Sequence, residues 1–451
     1  MTLNVGCFQV SLEDQPKDWE LKSISEVAEV VGGGTPSTKN SLYWDGPISW
    51  ITPKDLSQFN FRYIEKGERS ITKEGLEKSS AKILPKGAVL LSSRAPIGYL
   101  AIANNEVTTN QGFRSLIPNL ETSSEFLYYL LKANVEILKS NGSGTTFSEL
   151  SGGRLKELKF HFPSKLEQNA ISNFLALLDQ KIELNHQMNE TLEQMAQAIF
   201  KSWFVDFEPF RDPEHEWYVG EDGFEYNEEL EKEIPKGWEV RSMKDLSFDF
   251  IDSYRGKKYP KTNDFIQDSA YIFIDSKCVI NNRIDYSQVK FIEKIKYFEI
   301  AKSGLLENDI IMTTRGTLGR VAIFDKSEYE FAGINAQMLI LRITDNEKID
   351  PILFYYFLKG DEFQNLIEQY SSGSVAKQIP ITQMKTIKVL NYPIRFQNSI
   401  SNIIHPLEFK IRNNNKEIRI LTKIRNLLLP QLISGKLRIL DPEKFLEVLD
   451  T

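Results

Sequence analysis

The chain has 451 residues, 41% hydrophobic and 26% charged, with 25 glycines and 18 prolines, a composition that suits a globular protein of two to four domains. It contains no apolar run of about 18 residues and no charged-then-apolar leader; its two cysteines, Cys7 and Cys278, stand far apart beside only four histidines. These features speak against a membrane span, a disulfide framework and a structural zinc site, and a cytoplasmic chain is expected. The formal net charge of −7 opposes the basic footprint usual for nucleic-acid binding, but residues 206–234 hold twelve acids against Arg211 and Lys232, a local charge of −10 that leaves the remainder at +3. Such a run reads as a solvated acidic connector.

In chain order, residues 1–163 form a first globular region. It contains Pro16-Lys17-Asp18-Trp19-Glu20 and then Gly32-Gly33-Gly34-Thr35-Pro36-Ser37, whose glycines suit a tight turn or could present amides to a phosphate. Residues 89–102 (apolar run, Arg-x-x-x-Gly turn, apolar run) predict strand–turn–strand, and residues 124–138 a short helix. After a small hydroxylated loop, Gly142-Ser143-Gly144-Thr145-Thr146, a long helix over 164–208 opens on the capping box Ser164-Lys165-Leu166-Glu167 and stops before Pro209. An acidic linker, 209–234, leads to a second globular region, 235–393, with its own short helix at 351–358. A second long helix follows at 394–440, where Pro406 and Pro430 predict a kink or a shortening and Ser434-Gly435 marks its latest stop; 441–451 form a tail.

The chain is written twice. Pro16-Lys17-Asp18-Trp19-Glu20 returns as Pro235-Lys236-Gly237-Trp238-Glu239 at an offset of 219, and Leu91-Ser92-Ser93-Arg94-Ala95-Pro96-Ile97-Gly98 returns as Met312-Thr313-Thr314-Arg315-Gly316-Thr317-Leu318-Gly319 at 221. Phe126-Leu127-Tyr128-Tyr129 returns as Leu353-Phe354-Tyr355-Tyr356 at 227, and Gln168-Asn169-Ala170-Ile171 as Gln397-Asn398-Ser399-Ile400 at 229. Four blocks in one order, with slowly growing offsets, are a duplication with lengthened loops.

The long helices carry a stripe at alternating steps of three and four, the spacing that keeps one face on a partner helix. Its positions include Leu178, Ile182, Asn185, Leu192 and Ile199 in the first helix, and Leu407, Ile411, Asn414, Ile418, Leu421, Leu428 and Leu432 in the second. Asn185 and Asn414 occupy equivalent places, as a register-setting polar pair would.

Catalytic chemistry has no foothold. A P-loop needs Gly-x-x-x-x-Gly-Lys-Ser/Thr, and both Gly256-Lys257 and Gly435-Lys436 lack the upstream glycine and the following hydroxyl. The Asn/Asp-Pro-Pro-Tyr/Phe loop of amino-methyltransferases is missing, Asn391-Tyr392-Pro393-Ile394 reading as a strand exit, and no Pro-Asp dipeptide opens a nuclease-type metal site. His161, His186, His215 and His405 are scattered. No catalytic residue and no metal ligand is expected.

The pattern resembles the specificity subunits of type I restriction–modification enzymes. The resemblance rests on Gly33-Gly34-Thr35-Pro36-Ser37 after a Trp-Glu segment, the Ser93-Arg94-Ala95-Pro96-Ile97-Gly98 turn, Asn110-Gln111-Gly112, Gly142-Ser143-Gly144-Thr145-Thr146-Phe147 and the helix that follows, in duplicated order along essentially the whole chain. It implies an α+β chain of two pseudo-symmetric target-recognition domains separated by an antiparallel pair of long coiled-coil-like helices. It also implies a bipartite double-stranded DNA target, two adenine methyltransferase subunits and, in the full complex, two motor–nuclease subunits. S-adenosylmethionine, ATP and magnesium would sit on those partners, with no cofactor on this chain. The second half departs from the pattern, reading Tyr254-Arg255-Gly256-Lys257-Lys258-Tyr259-Pro260 where the first has Gly-Gly-Thr-Pro-Ser. Two other readings fit the repeat: a specificity subunit serving a fused methyltransferase–nuclease, and a coiled-coil scaffold whose globular ends bind protein.

If the target is DNA, basic and small hydroxylated or amide side chains on the repeated loops are its contacts, most of them to phosphate and a few to base edges. The first region offers Thr35, Ser37, Lys54, Arg62, Arg94, Asn110, Gln111, Arg114, Ser143, Thr145 and Thr146. The second offers Arg255, Lys257, Lys258, Arg283, Arg315, Asn335, Gln337, Ser372, Ser374 and Lys377. Arg94 and Arg315 sit at equivalent turns, which suits a structural role equally well.

Overall fold

An unbroken apolar strand has two greasy faces, and each must find a core. Both predicted strand–turn–strand segments begin with such a strand, Val89–Ser93 and Ile310–Thr313, every residue of which is buried. In the computed structural model, which describes residues 8–10, 16–57, 59, 61–144, 148–300, 304–371 and 377–449, each strand lies inside its own sheet. The chain divides into two compact units, 1–186 with 417–451, and 187–416.

In the first unit the sheet runs Ala28–Gly32, Arg114–Pro118, Val89–Ser93, Ile97–Ala103, Tyr63–Ile64. Its neighbours are antiparallel except the last pair. Alternation then sorts the side chains: Val89 and Leu91 join Phe126, Tyr129, Ile171 and Leu175 in one core, while Ala88 and Leu90 join Ile51, Ile64 and Phe113 in another. The second unit repeats the scheme with Phe248–Asp252, Met338–Ile343, Ile310–Thr313 and Val321–Ile323. Ile310 and Met312 face Tyr355, Phe396 and Ile400, whereas Ile311 faces Ile274, Ala332 and Ile340. Each such side chain contributes about 1.5–3 kcal/mol by leaving water, so a one-residue slip of register would forfeit both cores together. In each unit a pair of strands next to the long helices closes the globular part, Glu20–Ser23 with Lys159–Phe162 and Glu239–Ser242 with Lys388–Asn391.

The long helices span Lys165–Phe204 and Ile394–Ile433, 40 residues each, and both units contain part of each. Their pairing is antiparallel. Within the first unit Asp179 meets Arg425 at 2.6 Å and Asn185 donates to Glu417 at 2.9 Å. Within the second, Asn189 donates to Asn415 and Asn414 to Asn189, both at 2.8 Å. The equivalent asparagines thus each bond across the seam to a residue of their own unit. Ile182, Asn185, Ile411, Asn414 and Leu432 are buried, while Leu178, Leu192, Ile199, Leu407, Ile418, Leu421 and Leu428 are half-buried.

Local details refine these expectations. The second helix spans Pro406 and Pro430, both at exposed positions, where a carbonyl left without its N–H partner can be hydrated, and ends short of residue 440. That helix stops at Ile433, just before Ser434-Gly435 as expected, with Gly435 at φ 75°, while Leu437–Ile439, inside the wider 394–440 range, is a strand paired with Phe8–Val10. The Ser164 hydroxyl does accept from the Glu167 N–H at 3.3 Å, but the Glu167 carboxylate turns to Arg438 (2.7 Å) and the Trp19 indole (3.3 Å) in place of the helix end.

The acidic stretch is not an open tether. It holds the short helix Glu208–Arg211 and the hairpin Phe224–Asn227 with Lys232–Pro235. Phe207, Phe210, Phe224 and Ile234 are buried, and Phe210 and Trp217 lie 5.0 and 5.3 Å from the Phe396 ring. The acids between these aromatics point to water, apart from a half-buried Asp206. Residues 206–234 are therefore an acid-faced flap of the second unit's core.

Candidate nucleic-acid interface

The Arg-x-x-x-Gly turns are built the same way in both units, bond for bond. Ser93 N–H donates to Gly112 O at 2.7 Å and Thr314 N–H to Gln337 O at 2.8 Å. Leu150 N–H donates to Ser93 O at 2.9 Å and Ile379 N–H to Thr314 O at 3.1 Å. The preceding hydroxyls close the turns: Tyr99 N–H donates to Ser92 Oγ (2.8 Å), and Arg320 N–H to Thr313 Oγ1 (3.0 Å). Ala95 and Gly316 occupy the matching left-handed position, φ 51° and 77°. Facing each turn is an asparagine-capped loop, with Gly112 N–H donating to Asn110 Oδ1 at 2.8 Å and Gln337 N–H to Asn335 Oδ1 at 3.1 Å. Arg94 and Arg315 project from equivalent points of this frame and form backbone bridges to Glu149 and Gln378.

Around the first turn the sequence candidates converge. Glu149 holds Arg114 at 3.0 Å and Arg94 at 3.6 Å, so one carboxylate offsets only one of the two guanidiniums. Ser143 is exposed beside them, its backbone laddered to Glu149. Thr35 donates to the exposed Gln111 amide oxygen. The glycines before it are there for closeness: a Cβ on Gly33 would lie 2.1 Å from Asn110 O, so the segment is pressed on the asparagine loop and steric need accounts for the missing side chain. The Trp50 and Trp44 indoles donate to Gly34 O (2.9 Å) and Ser37 O (3.2 Å), and Arg69 stacks 3.5 Å from the Trp44 ring centre. Ser37 and Lys54 are exposed, the latter paired to Glu68 at 2.7 Å.

In the second unit Arg315, Gln337, Lys257 and Lys377 are exposed, and Arg255 and Lys258 are exposed ion-pair members of Asp252 and Glu299. Ser276, which sequence reasoning did not single out, donates to Gln337 Oε1 at 2.6 Å. Asn335 is buried and gives its amide to Asp275 at 2.7 Å, so it shapes the loop and does not face outward. Thr145, Thr146, Ser372 and Ser374 lie outside the described residues.

Arg62 and Arg283 are instead taken up by ion pairs within their own units. Arg62 is 4% exposed and its backbone and side chain both donate to Glu183, at 2.8 and 3.2 Å. Arg283 keeps 22% of its side-chain surface, but its guanidinium is consumed by Glu408 and by Glu193 at 2.7 Å. They belong to a repeated polar cluster under each recognition region. In one unit Asp179 takes Tyr129 Oη at 2.8 Å, Arg425 at 2.6 Å and Lys132 at 3.8 Å. In the other Glu408 takes Arg283, Arg412 at 3.3 Å and Tyr356 Oη at 3.4 Å, while Lys359 meets Glu193. Burial alone would raise both carboxyls, yet the neighbouring cations outweigh it and hold Asp179 and Glu408 below the usual carboxylate range. Burial pulls the Lys132 and Lys359 ammoniums down to about 8 and about 7, against the attraction of Asp179 and Glu408 respectively. A signal for this was in the sequence: Arg62 and Arg283 are 221 apart, as are Arg94 and Arg315, and Asp179 and Glu408 are 229 apart.

Among the described residues no group of His, Cys, Asp and Glu could hold a metal ion, and no helix is long and apolar enough to cross a membrane.

Comparison with known proteins agrees with this doubled architecture. Residues 16–194 and 235–423 each match the type I restriction modification DNA specificity domain. The chain is 38% identical over 427 residues to the type I restriction enzyme MjaIX specificity subunit of Methanocaldococcus jannaschii, covering 94% of both chains. It is 25% identical to the HindI specificity subunit of Haemophilus influenzae, over 80% of this chain and 89% of that one. Its fold is similar to the crystal structure of the S subunit of a type I restriction–modification system from M. genitalium, with TM-score 0.55 and 18% identity over 96% and 98% of the two chains. With two recognition domains built on one duplicated frame and two long helices, this chain belongs to the type I restriction–modification specificity subunits, the non-catalytic DNA-recognition members of those enzymes.

Proposed function

We propose that the chain reads a split DNA target, one half-site with each recognition domain, and thereby places adenine methyltransferase subunits, and motor–nuclease subunits in the full complex, on that target. The observation that carries this reading is the twice-built turn that presents Arg94, half-buried, and Arg315, exposed, from equivalent places. Two copies of one surface with different side chains suit two unlike half-sites better than one continuous site. S-adenosylmethionine, ATP and magnesium are assigned to two methyltransferase and two motor–nuclease partners. A pool of randomised duplexes selected on the full chain should return two short fixed blocks separated by unspecified base pairs. A single contiguous block, or none, would contradict the reading.

The acidic flap takes no part in that contact. Phosphate repels it, while the salt dependence of binding counts the cations that neutralise phosphate, each adding about 0.9 to the slope. Replacing the exposed Glu214, Glu216, Glu221 and Glu228 with glutamine should leave the slope of log affinity against log salt within about one unit of wild type. A change of several units would mean that the flap lies against the duplex.

A further inference from the structure

We propose that Gln111 and Gln337 are base-reading side chains of the two recognition domains, each presenting to an adenine in its half-site an amide held by a neighbouring hydroxyl, Thr35 or Ser276. The inference rests on the DNA-reading function above and narrows it to two positions.

The frame around the two loops is shared, but the glutamines are not at the same place in it. Gln111 precedes the residue whose carbonyl receives Ser93, whereas Gln337 is the residue whose carbonyl receives Thr314. Their hydroxyl partners also differ in origin. Thr35 follows the strand Ala28–Gly32, and Ser276 follows the strand Tyr271–Ile274. Both routes end in an exposed carboxamide whose oxygen accepts from a hydroxyl. The loops do not need this for closure, since the asparagine caps and backbone bonds already close them.

The chemistry left over is specific. A primary amide has two N–H donors and an oxygen with two lone pairs. A hydroxyl on one lone pair leaves one acceptor and two donors, which complement the N6–H and N7 edge of adenine in the major groove. The hydroxyl also limits the rotamers that contact would otherwise have to freeze. Each hydroxyl is itself anchored: Thr35 lies between Gly34, whose carbonyl takes the Trp50 indole, and Pro36; Ser276 follows Asp275, which takes the Asn335 amide. Arg94 and Arg315 contrast with this. They are charged, at identical positions, and suited to what both half-sites have in common, the phosphate backbone.

The test is selection of randomised duplexes by the full chain carrying single substitutions, with melting temperatures recorded to verify folding. Gln111→Ala should cut the preference at one base pair of one half-site by about 10- to 100-fold and leave the other half-site intact. Gln337→Ala should do the converse. Gln111→Glu should move the preference at that same pair from adenine towards cytosine, whose N4–H donates to a carboxylate. Thr35→Val and Ser276→Ala should produce smaller losses at the same two pairs. Weakening that is uniform over all duplexes with the motif unchanged would overturn the proposal and make the glutamines backbone contacts, and unchanged motif and affinity would overturn it too. A wild-type chain that selects no split motif would instead defeat the DNA-reading function itself.

Discussion

Replacing Glu408 with alanine should destabilise the 187–416 unit by about 3–5 kcal/mol, the range for removing one partner of a buried ionic cluster. The substitution takes one of two carboxylates from Arg283 and from Arg412, leaving them Glu193 and Glu307, and removes the nearer acceptor of Tyr356 Oη. Asp179→Ala should cost a comparable amount in the other unit, because Arg425, Lys132 and Tyr129 lose their shared carboxylate. The sign of the pH dependence is fixed by the direction of the shifts. Both carboxyls titrate lower when folded than when unfolded, so their stabilisation is complete above the unfolded value, about 4, and fades as pH falls through the folded value. Urea unfolding of Glu408→Gln against wild type should show a full deficit at neutral pH that shrinks on acidification below about 4. A deficit independent of pH, or none at all, would mean that the cluster does not hold the recognition domain on its helices.

The duplication and the long helices were legible because they are periodic: repeat blocks keep order, and a three–four stripe marks a helix face. The Arg94 and Arg315 turns were legible for the same reason. The roles of Arg62 and Arg283 were not, since a basic residue on a loop reads as surface until its carboxylate is known, and Glu183 and Glu408 lie 121 and 125 residues away. The acidic flap was hidden by counting charge alone: Phe207, Phe210, Trp217 and Phe224 are spaced among the acids and carry the fold of that stretch. Ser276 escaped because the matching place in the first half, two residues after Ile51 as Ser276 is two after Ile274, holds Pro53, so the repeat marked no hydroxyl there; only the bond to Gln337 does.

Modularity is the second large effect to expect, and the fold says where to cut. Residues 235–393 begin and end beside the antiparallel pair Glu239–Ser242 with Lys388–Asn391, so both junctions lie on neighbouring strands and leave each long helix intact. A donor domain must keep the arginine at 283 and the lysine at 359, or it forfeits the ionic cluster with Glu193 and Glu408. With those retained, the exchange replaces one reading surface and leaves Arg94, Gln111 and the remainder of the first untouched.

The most direct measurement is therefore a genome-wide methylation map of cells carrying the exchanged chain with its methyltransferase, set against the parent map. One half-site should take on the donor's sequence while the other stays unchanged base for base. A map in which both halves change together, or in which the parental target persists unaltered, would contradict the claim that each duplicated domain reads its own half of the DNA.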